Sequence, residues 1–442
     1  MGGEIVARSL PPYGPLAEHF LVDRGRVFLN HGSFGGTPIV VMEAQEKLRR
    51  RVEADTVEWF VESAGPLMEA ARRRIARLVD ADDEGLMLIP NATAGVSNVV
   101  RNLQLRSGDE LLTGTHEYNA CSNALRWAAE RECARGVDVK VVTTALPCPM
   151  RNDDEVVAAI VGGITARTRL LLLSHITSPS GLILPALRIV REGVARAREL
   201  GNERFEVVVD GAHAPGYMEL SVREFLRAGA AYYTGNLHKW TCGPKGTAFL
   251  AVGEKQRGAF APLIISHGFN SAVPGRTRFR QMADFVGSVD YTGFMVMPMC
   301  LDVLGGMVPG DGGGDGGGDG LGGVRGLQND LRAQAVAILG DRLGGLGGGR
   351  TIGPGHALGA MAAITLPGGS VPTALDPLRP FDPIHYRLRE KWKIQVPAYW
   401  LAKTDGTRQR VLRLTAAVYN TVEQFEYLAE ALVSELKGES GG

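Results

Sequence analysis

Two residues that could do chemistry, a lysine and an aspartate, each follow a short apolar stretch. Lys239 comes after Tyr232-Tyr233-Thr234-Gly235-Asn236-Leu237-His238, and Asp210 ends the run Val207-Val208-Val209, 29 positions before the lysine. A lysine amine can condense with an aldehyde to form a Schiff base, and a carboxylate can keep a heteroaromatic nitrogen protonated. An isolated pair of this kind is most often an ordinary strand-end acid and a surface lysine. The neighbouring residues therefore decide between the two interpretations.

The neighbouring motifs resemble a known enzyme family. They are Asn30-His31-Gly32-Ser33-Phe34-Gly35, Asp210-Gly211-Ala212-His213, Asn236-Leu237-His238-Lys239-Trp240 and Arg413-Leu414-Thr415. In this order, from about Asn30 to about Tyr427, the chain resembles class V aminotransferase-type pyridoxal phosphate (PLP) enzymes. The branch it resembles holds isopenicillin N epimerase, plant-type cysteine desulfhydrases and ergothioneine-pathway C–S lyases. The resemblance implies PLP as the cofactor, an amino acid as the substrate, and the fold of a fold type I PLP-dependent transferase.

The overall composition is ordinary for a globular enzyme. Of the 442 residues, 45% are hydrophobic and 22% are charged, and the formal net charge is zero. Such a chain has no global field that would favour nucleic acid or an anionic membrane. No segment approaches the ~18 uncharged apolar residues that a membrane span requires. We therefore expect neither a nucleic-acid partner nor a membrane segment.

The N-terminus and the cysteines both indicate a cytosol-like compartment. The first residues include Glu4 and Arg8 and form no apolar core of a secretory signal. The five cysteines are odd in number and include no Cys-x-x-Cys pair. This pattern predicts reduced thiols rather than a disulfide framework, and it predicts no metal site. We expect a cytoplasmic protein, without excluding an organelle.

Apolar runs alternate with amphipathic stretches through the middle of the chain, which predicts an α/β fold with a mainly parallel seven-stranded sheet. Helices are expected at Asn119–Arg135, Leu187–Leu200 and Ser221–Ala228. The predicted strands are Leu86–Ile89, Glu110–Thr113, Val137–Thr143, Arg169–His175, Glu206–Asp210, Ala231–Thr234 and Thr247–Val252.

The remainder of the chain predicts a smaller α+β domain. We expect residues 40–300 to form the large PLP-binding domain, and residues 1–39 and 301–442 to form the small one. Strands are predicted at Ala360–Leu366, Ile394–Tyr399 and Gln409–Leu414, and helices at Phe381–Glu390 and Thr421–Leu436. The Gly/Asp-rich segment at about 305–326 has almost nothing to bury, which predicts a disordered surface loop.

Polar residues stand at or just past the ends of five predicted strands. In parallel sheets, ligands bind beyond the carboxyl ends of the strands. The placement therefore indicates one site built from several loops. The five residues are Asn91, His116, Ser178, Asp210 and Lys239.

The resemblance implies a role for each residue around the cofactor. Lys239, Asp210 and His213 are the implied catalytic residues: the Schiff-base lysine, the partner of the pyridine nitrogen and the partner of the phenolic oxygen. Tyr118 is expected to stack on the ring, with His116 as a rival. The implied cofactor contacts are Ala92, Thr93, Tyr118, Ser178, Asp210, His213, Asn236, His238, Lys239 and Ser288.

Two of these assignments have simple alternatives. The corner that contains Ala92 and Thr93 suits a phosphate because a helix begins there, but polar residues at such a corner are also common helix caps. Lys245 is a second lysine close by, in Gly243-Pro244-Lys245-Gly246. That turn is itself typical of the family after the Schiff-base lysine, so Lys239 is preferred.

The resemblance also implies a substrate site and a dimer. Arg413 matches the arginine that binds the substrate α-carboxylate, and Asn30 and Gly32 are expected beside it. Ser288 stands where relatives reach the phosphate in the partner subunit, so we expect a homodimer with the active site at the interface. The family's arginine after that position is Val289 here, which puts in doubt any contact that the arginine makes in relatives.

The motifs leave the reaction open among several outcomes. Persulfide-forming desulfuration needs a mobile cysteine shortly before Arg413, and no cysteine lies between Cys300 and Arg413. The plant-type resemblance at His175-Ile176-Thr177-Ser178-Pro179, Ser266-His267 and Val418-Tyr419-Asn420 favours β-elimination of a C–S bond. Epimerisation and transamination are the alternatives. A non-catalytic scaffold with a PLP-enzyme fold is a remote one, since a scaffold needs none of the retained site residues.

Overall fold

A computed structural model of the chain describes residues 9–310, 319–369 and 379–440. Within these residues the strands form a seven-stranded sheet, a three-stranded sheet and a two-stranded sheet. The strands are β1 (Val27–Phe28), β2 (Leu86–Ile89), β3 (Glu110–Gly114), β4 (Lys140–Thr144), β5 (Thr168–Ser174), β6 (Glu206–Asp210), β7 (Tyr232–Asn236), β8 (Ala248–Val252), β9 (Met361–Thr365), β10 (Ile394–Gln395), β11 (Ala398–Ala402) and β12 (Arg408–Thr415).

Helices surround these sheets. The α-helices are α1 (His31–Phe34), α2 (Ile39–Ala54), α3 (Thr56–Glu58), α4 (Ala64–Leu78), α5 (Ala92–Asn102), α6 (Asn119–Cys133), α7 (Asp153–Gly162), α8 (Ala186–Glu199), α9 (Val222–Arg227), α10 (Glu254–Arg257), α11 (Arg278–Asp284), α12 (Thr292–Met295), α13 (Met297–Met307), α14 (Gly322–Gly344), α15 (Pro383–Lys391) and α16 (Val422–Ser440). Short 3-10 turns cover Pro15–His19, Asp83–Gly85, His267–Phe269 and Gly355–Ala357, and a π-helical turn covers Trp59–Ser63.

The large sheet has the strand order β2-β8-β7-β6-β5-β3-β4. Strands β4, β3, β5, β6 and β7 are parallel, while β8 runs antiparallel to both of its neighbours. This arrangement confirms the predicted fold class. Because β2 again runs in the direction of β7, the carboxyl ends of six strands lie at one edge of the sheet.

Both faces of the large sheet are covered by apolar side chains, which is why its strands read as continuous apolar runs. Along β6, Val207 and Val209 join one hydrophobic cluster and Val208 joins the other. Helices α5 and α6 cover the second face. Gly95 of α5 lies so close to β7 that a Cβ atom would come within 2.2 Å of the Thr234 hydroxyl oxygen.

The C-terminal part contains the small antiparallel sheet, in the order β11-β12-β9. Helices α14 and α16 pack against each other beside it. The N-terminal β1 pairs in parallel with β10, which ties the beginning of the chain to its last third. The predicted division at residues 40 and 300 stays a prediction.

The strands β1, β10 and β11 differ from the prediction by more than a shift of their ends. The single strand expected at Ile394–Tyr399 is divided into β10 and β11. Pro397 lies at the break and, because proline has no N–H group, it cannot donate to a strand ladder. The N-terminal strand β1 was also absent from the predicted elements.

The predicted Gly/Asp-rich loop is shorter than expected at both ends. Residues 305–307 close α13 and residues 322–326 open α14, while residues 311–318 lie outside the described part of the chain. Leu304, Leu321 and Val324 are buried. Their burial explains how helix forms next to glycines, because tertiary packing outweighs weak local propensity.

No helix in the described part of the chain is both long enough and apolar enough to cross a bilayer.

Candidate active site

The loop after β7 holds Lys239 between the two ends of the chain. The Lys239 carbonyl accepts a hydrogen bond from His31 Nε2 at 3.0 Å, and His31 Nδ1 lies 2.8 Å from the Tyr419 hydroxyl. Burial lowers the pKa of His31 to about 4, so a neutral ring donates through Nε2 and accepts through Nδ1. The backbone of Lys239 is thereby fixed by residues 31 and 419.

A glycine makes this approach possible. Gly35 has a φ of 70°, and a Cβ atom there would come within 1.9 Å of the His238 carbonyl oxygen. Only glycine adopts this conformation at so close a contact without strain. The backbone of the Asn30–Gly35 motif therefore packs against the loop that carries Lys239. This packing is in addition to the contacts that the motif's side chains make.

The Lys239 amine contacts His213. Lys239 Nζ lies 3.1 Å from His213 Nε2, and Trp240 Nε1 lies 3.3 Å from His213 Nδ1. An indole N–H only donates, so Nδ1 must accept and a neutral His213 carries its proton on Nε2. That proton points at Lys239 Nζ, which can accept it only as a free amine.

The electrostatics make the free amine of Lys239 more accessible than that of an ordinary lysine. Burial, followed by the positive charge of Arg413, lowers the pKa of Lys239 from 10.5 to about 8, against an opposing effect of Asp210. Burial and the charge of Lys239 also hold the pKa of His213 well below its usual range. An amine that is partly deprotonated near neutral pH can act as nucleophile and as base.

Asp210 lies at the end of β6, buried to 3% exposure. Its Oδ1 accepts from the Ala212 N–H at 2.9 Å, and its Oδ2 accepts from the Cys121 thiol at 3.3 Å. Burial raises the pKa of Asp210, while these donors and Lys239 act in the opposite direction. The carboxylate is thus oriented by two donors and lies in the field of the lysine.

The corner between β2 and α5 leaves one backbone donor free. Asn91 Oδ1 accepts from the Ala94 N–H at 2.9 Å, and Asn236 Oδ1 accepts from the Ala92 N–H at 2.8 Å. The Thr93 N–H has no partner among the described residues. An anion at this helix start would therefore meet Thr93, whereas the Ala92 N–H is already used by Asn236.

His238 is positioned by the neighbouring strand. Its Nδ1 lies 3.2 Å from the Thr247 carbonyl, to which it donates. Burial and the charge of Lys239 lower the pKa of His238 to about 4. The ring is held next to the lysine, with Nε2 left for a further contact.

The rings of Tyr118 and His116 have opposite environments. Tyr118 is 44% exposed and precedes α6, whereas His116 is 1% exposed with Nδ1 3.2 Å from the Ser180 hydroxyl. A ring can stack on a ligand only through an accessible face. This favours Tyr118 over His116 for that role.

Arg413 is a buried cation whose described partners are uncharged. Its guanidinium, 2% exposed, donates to the Asn30 Oδ1 at 3.1 Å and the Ser33 hydroxyl at 2.9 Å, and also to the Ser178 carbonyl. Its Nε has no partner, and no carboxylate lies within ion-pair distance among the residues described. A buried charge is normally paired, so this site is suited to an external carboxylate.

The remaining predicted residues fall into two groups. Asn30 is a direct partner of Arg413, and Gly32 lies against Trp240, whose ring a Cβ atom would approach to 3.2 Å. Ser288 is exposed and takes part in none of the hydrogen bonds around Lys239. Within one chain, the structure brings all the predicted site residues except Ser288 towards the strand ends where Lys239 and Asp210 lie.

Several residues that shape the site were not among the predicted ones. Ser33 binds Arg413, Trp240 fixes the tautomer of His213, and Cys121 binds Asp210. Ser33 and Trp240 stand within motifs that were already singled out, so their position was a usable signal. Glu117 lies close to Asp210. Its position next to Tyr118, a predicted site residue, was a usable signal of the same kind.

The residues present fit PLP. The cofactor needs an amine for its aldehyde, a carboxylate for its ring nitrogen and donors for its phosphate. Lys239, Asp210 and the free Thr93 N–H offer these groups at neighbouring strand ends. The orphaned Nε of Arg413 adds a donor for a substrate carboxylate.

The sequence matches an established family and its relatives. Residues 35–280 match the family model "Aminotransferase class-V". Isopenicillin N epimerase of Amycolatopsis lactamdurans is 32% identical over 429 residues, covering 94% of this chain and 96% of the relative. L-cysteine desulfhydrase of Arabidopsis thaliana is 27% identical over 440 residues, covering 92% and 87%. These similarities confirm the resemblance found in the motifs.

Solved structures show the same fold. A C-DES mutant with glycine covalently linked to its PLP cofactor superposes with a TM-score of 0.70 at 19% identity, covering 95% of this chain and 99% of that one. The cysteine desulfurase CsdA of Escherichia coli gives a TM-score of 0.69 at 19% identity, covering 96% and 98%. At this identity the likeness supports the fold.

Proposed function

Because the chain belongs to the aminotransferase class-V family of PLP-dependent enzymes, we propose that it is a lyase acting on an α-amino acid. The reaction that we propose is β-elimination across a C–S bond of a cysteine-like substrate. PLP, when bound, supplies an electron sink that makes the α-hydrogen of the amino acid acidic.

The observation that carries this proposal is the buried, acid-free Arg413. A guanidinium held by Asn30, Ser33 and the Ser178 carbonyl is oriented but not neutralised. An amino acid brings the α-carboxylate that would neutralise it, with paired charge-assisted hydrogen bonds. Binding there would fix the direction in which Cα is presented to Lys239.

Lys239 is the proton-transfer residue in this proposal. Its pKa of about 8 leaves a useful fraction of free amine near neutral pH, as a general base requires. His213 orients the amine through its Nε2, and Trp240 keeps that nitrogen protonated. Asp210 would keep the nitrogen of the bound cofactor ring protonated.

The chemistry of the site favours elimination over epimerisation. Elimination needs one base, and a thiolate leaves readily because its conjugate thiol has a pKa near 8.5. Epimerisation also needs a proton donor on the opposite side of Cα. Burial raises the pKa of the Tyr118 phenol, which makes that ring, expected to cover the cofactor, a weak donor.

Epimerisation remains the second candidate because of the relatives. Two isopenicillin N epimerases are 32% and 30% identical to the chain, whereas two Arabidopsis thaliana desulfhydrase relatives are 27% and 25% identical. Both reactions begin with removal of the same proton by Lys239. They differ in the next step. Elimination breaks the bond between Cβ and sulfur, whereas epimerisation leaves Cβ intact and returns a proton to the opposite face of Cα.

Substrate turnover in deuterated water separates the candidates. The purified protein, supplied with PLP, is incubated with cysteine, cysteine conjugates and cysteine sulfoxides, and with amino acids that lack a leaving group at Cβ. We expect pyruvate and ammonia from the first set. Inverted, deuterated amino acid without pyruvate would favour epimerisation, and a keto acid with a newly aminated acceptor would favour transamination. No reaction with any amino acid would contradict the proposal.

We also propose that the protein acts as a homodimer with sites at the interface. Ser288 is exposed, and exposed apolar side chains occur on the preceding segment at Ile264, Ile265 and Phe269, which are 53%, 53% and 57% exposed. Such residues together suit a protein interface. Ser288 would then reach the phosphate bound by the partner.

Mixing two defective variants tests the shared site. Lys239→Ala and Ser288→Ala chains should form heterodimers in which one site carries both defects and the other carries neither. We expect Ser288→Ala alone to weaken PLP binding by about 1.5–3 kcal/mol, and the mixture to regain tight binding. A monomer with full PLP affinity in light scattering and titration would contradict the dimer.

A further inference from the structure

A second carboxyl group stands beside Asp210 and has no part in the mechanism above. Ligand atoms of Glu117, Cys121 and Asp210 all lie within 4.8 Å of one another. Glu117 comes from the turn after β3, and its Oε1 accepts from the Ser174 hydroxyl and from the Tyr118 N–H, both at 2.8 Å. The carboxyl group is therefore held in place next to the proposed partner of the cofactor ring.

Two carboxylates this close in a buried site do not both ionise cheaply. Each negative charge raises the cost of the other, so the pair binds one proton more tightly than either acid alone. Burial and then the neighbouring Asp210 raise the pKa of Glu117 to about 8. In the neutral range, one proton therefore stays on the pair.

The other titratable groups that face the pair decide where that proton lies. Burial raises the pKa values of Cys121, Tyr118 and Tyr233, so these three side chains stay neutral. Lys239 is the cation that faces the pair, and it acts on Asp210, whose pKa it lowers. Among the described residues, no cation contributes in the same way to Glu117. The lysine therefore favours ionisation of Asp210.

We propose that Glu117 is a positioning residue that holds the shared proton, so that Asp210 is the ionised member facing the cofactor ring. The Ser174 hydroxyl and the Tyr118 N–H occupy Oε1, which leaves Oε2 of Glu117 to carry the proton. The inference rests on the proposed role of Asp210. It adds a second acid whose protonation sets the charge that the ring nitrogen meets.

Glu117→Gln tests this inference, because glutamine copies the shape of the protonated acid and cannot ionise. An unfolded glutamate releases its proton above its ordinary pKa, whereas native Glu117 keeps it up to about pH 8. Folding then takes up a proton, so wild-type stability should fall relative to Glu117→Gln as the pH rises from 5 to 8. The measurement is the melting temperature of the full chain, with PLP and after its removal. Lys239 titrates in both proteins, so its contribution cancels.

We expect the melting-temperature gap between Glu117→Gln and wild type to widen steadily over this range. A gap that stays constant with pH would overturn the inference, because it would mean that Glu117 carries no extra proton. Ser174→Ala, which removes a donor that favours the ionised acid, should move the end of the widening to higher pH. If the pH at which the widening ends is unchanged in Ser174→Ala, that result would also contradict the inference.

A second comparison shows whether Glu117 acts through Asp210. In an Asp210→Asn background the neighbouring charge is gone, so the pH-dependent gap produced by Glu117→Gln should shrink. An equal gap in both backgrounds would show that burial alone holds the proton, and would overturn the positioning role. Failure of the proposed function looks different, since wild type would then release no pyruvate from cysteine-like substrates while the gap could still widen.

Discussion

Strand β12 carries two buried arginines with opposite surroundings. Arg410 is 3% exposed and donates to both oxygens of Asp382, at 2.9 and 2.7 Å, and to both oxygens of Glu439, at 2.7 and 2.9 Å. Arg413, three residues further on, is 2% exposed, and its acceptors in the described part of the chain are all uncharged oxygens. The first guanidinium is balanced by two acids, whereas no acid of residues 9–310, 319–369 and 379–440 balances the second.

The difference separates a structural charge from a functional one. A buried ion pair with complete hydrogen bonding holds two parts of a fold together, and here it ties β12 to α15 and α16. A buried cation without a counter-ion costs stability unless something supplies the missing charge. We infer that the fold tolerates Arg413 because a ligand carboxylate completes it.

The largest expected effect is on stability at Arg410. Arg410→Gln would leave Asp382, which is 1% exposed, buried without its main partner. Removing one member of a buried ion pair typically costs about 3–5 kcal/mol, and we expect that loss in the free energy of unfolding by urea. The fraction that remains folded should bind PLP normally. A loss below about 1 kcal/mol would contradict the structural role that the comparison assigns to Arg410.

The matched change at Arg413 should act on turnover instead. Arg413→Gln loses the charge-assisted hydrogen bonds to the substrate carboxylate, worth about 1.5–3 kcal/mol each, so kcat/KM should fall roughly 100-fold or more. The free energy of unfolding should change by less than about 1 kcal/mol, because an uncompensated charge is removed along with its contacts. Unaltered kcat/KM, or a stability loss as large as that of Arg410→Gln, would contradict this assignment.

A smaller effect should appear in how pH controls cofactor uptake. The rate at which the cofactor-free chain captures PLP should rise with pH and level off above about 8, because capture needs the free amine of Lys239, whose pKa is about 8. Arg413 contributes to lowering that pKa. Arg413→Gln should therefore shift the capture profile to higher pH, whereas Arg410→Gln should leave it in place. Stopped-flow absorbance measures the capture rate of both variants. Equal shifts of the two pH profiles would contradict the difference between Arg410 and Arg413.

Much of this architecture followed from local sequence patterns. The strands of the large sheet are buried on both faces, so they appear as apolar runs, and all seven predicted strands overlap the observed ones. Lys239 and Asp210 directly follow or end such runs, which placed them at the same edge. The same local logic failed at α14, where glycines concealed a helix that packing against α16 stabilises.

The parts of the site that were not predicted depend on contacts between distant residues. Arg413 was matched to a carboxylate through a motif. Its surroundings can be known only once α1 and β12 are packed together, because Ser33 and Arg413 are 380 residues apart in the sequence. The tautomer of His213 depends in the same way on the direction of the Trp240 N–H. The motifs were enough to identify the chemical groups of the site. Which of these charges are paired could be read only from the fold.

Lys239 is the residue on which cofactor binding, and with it the proposed chemistry, depends. The most direct test is to reduce the PLP-loaded protein with borohydride, digest it and locate the labelled lysine by mass spectrometry. We expect loss of the yellow absorbance band on reduction and a single pyridoxyl label on Lys239, with neither band nor label in Lys239→Ala. A label on Lys245, or a band that persists in Lys239→Ala, would contradict the central claim.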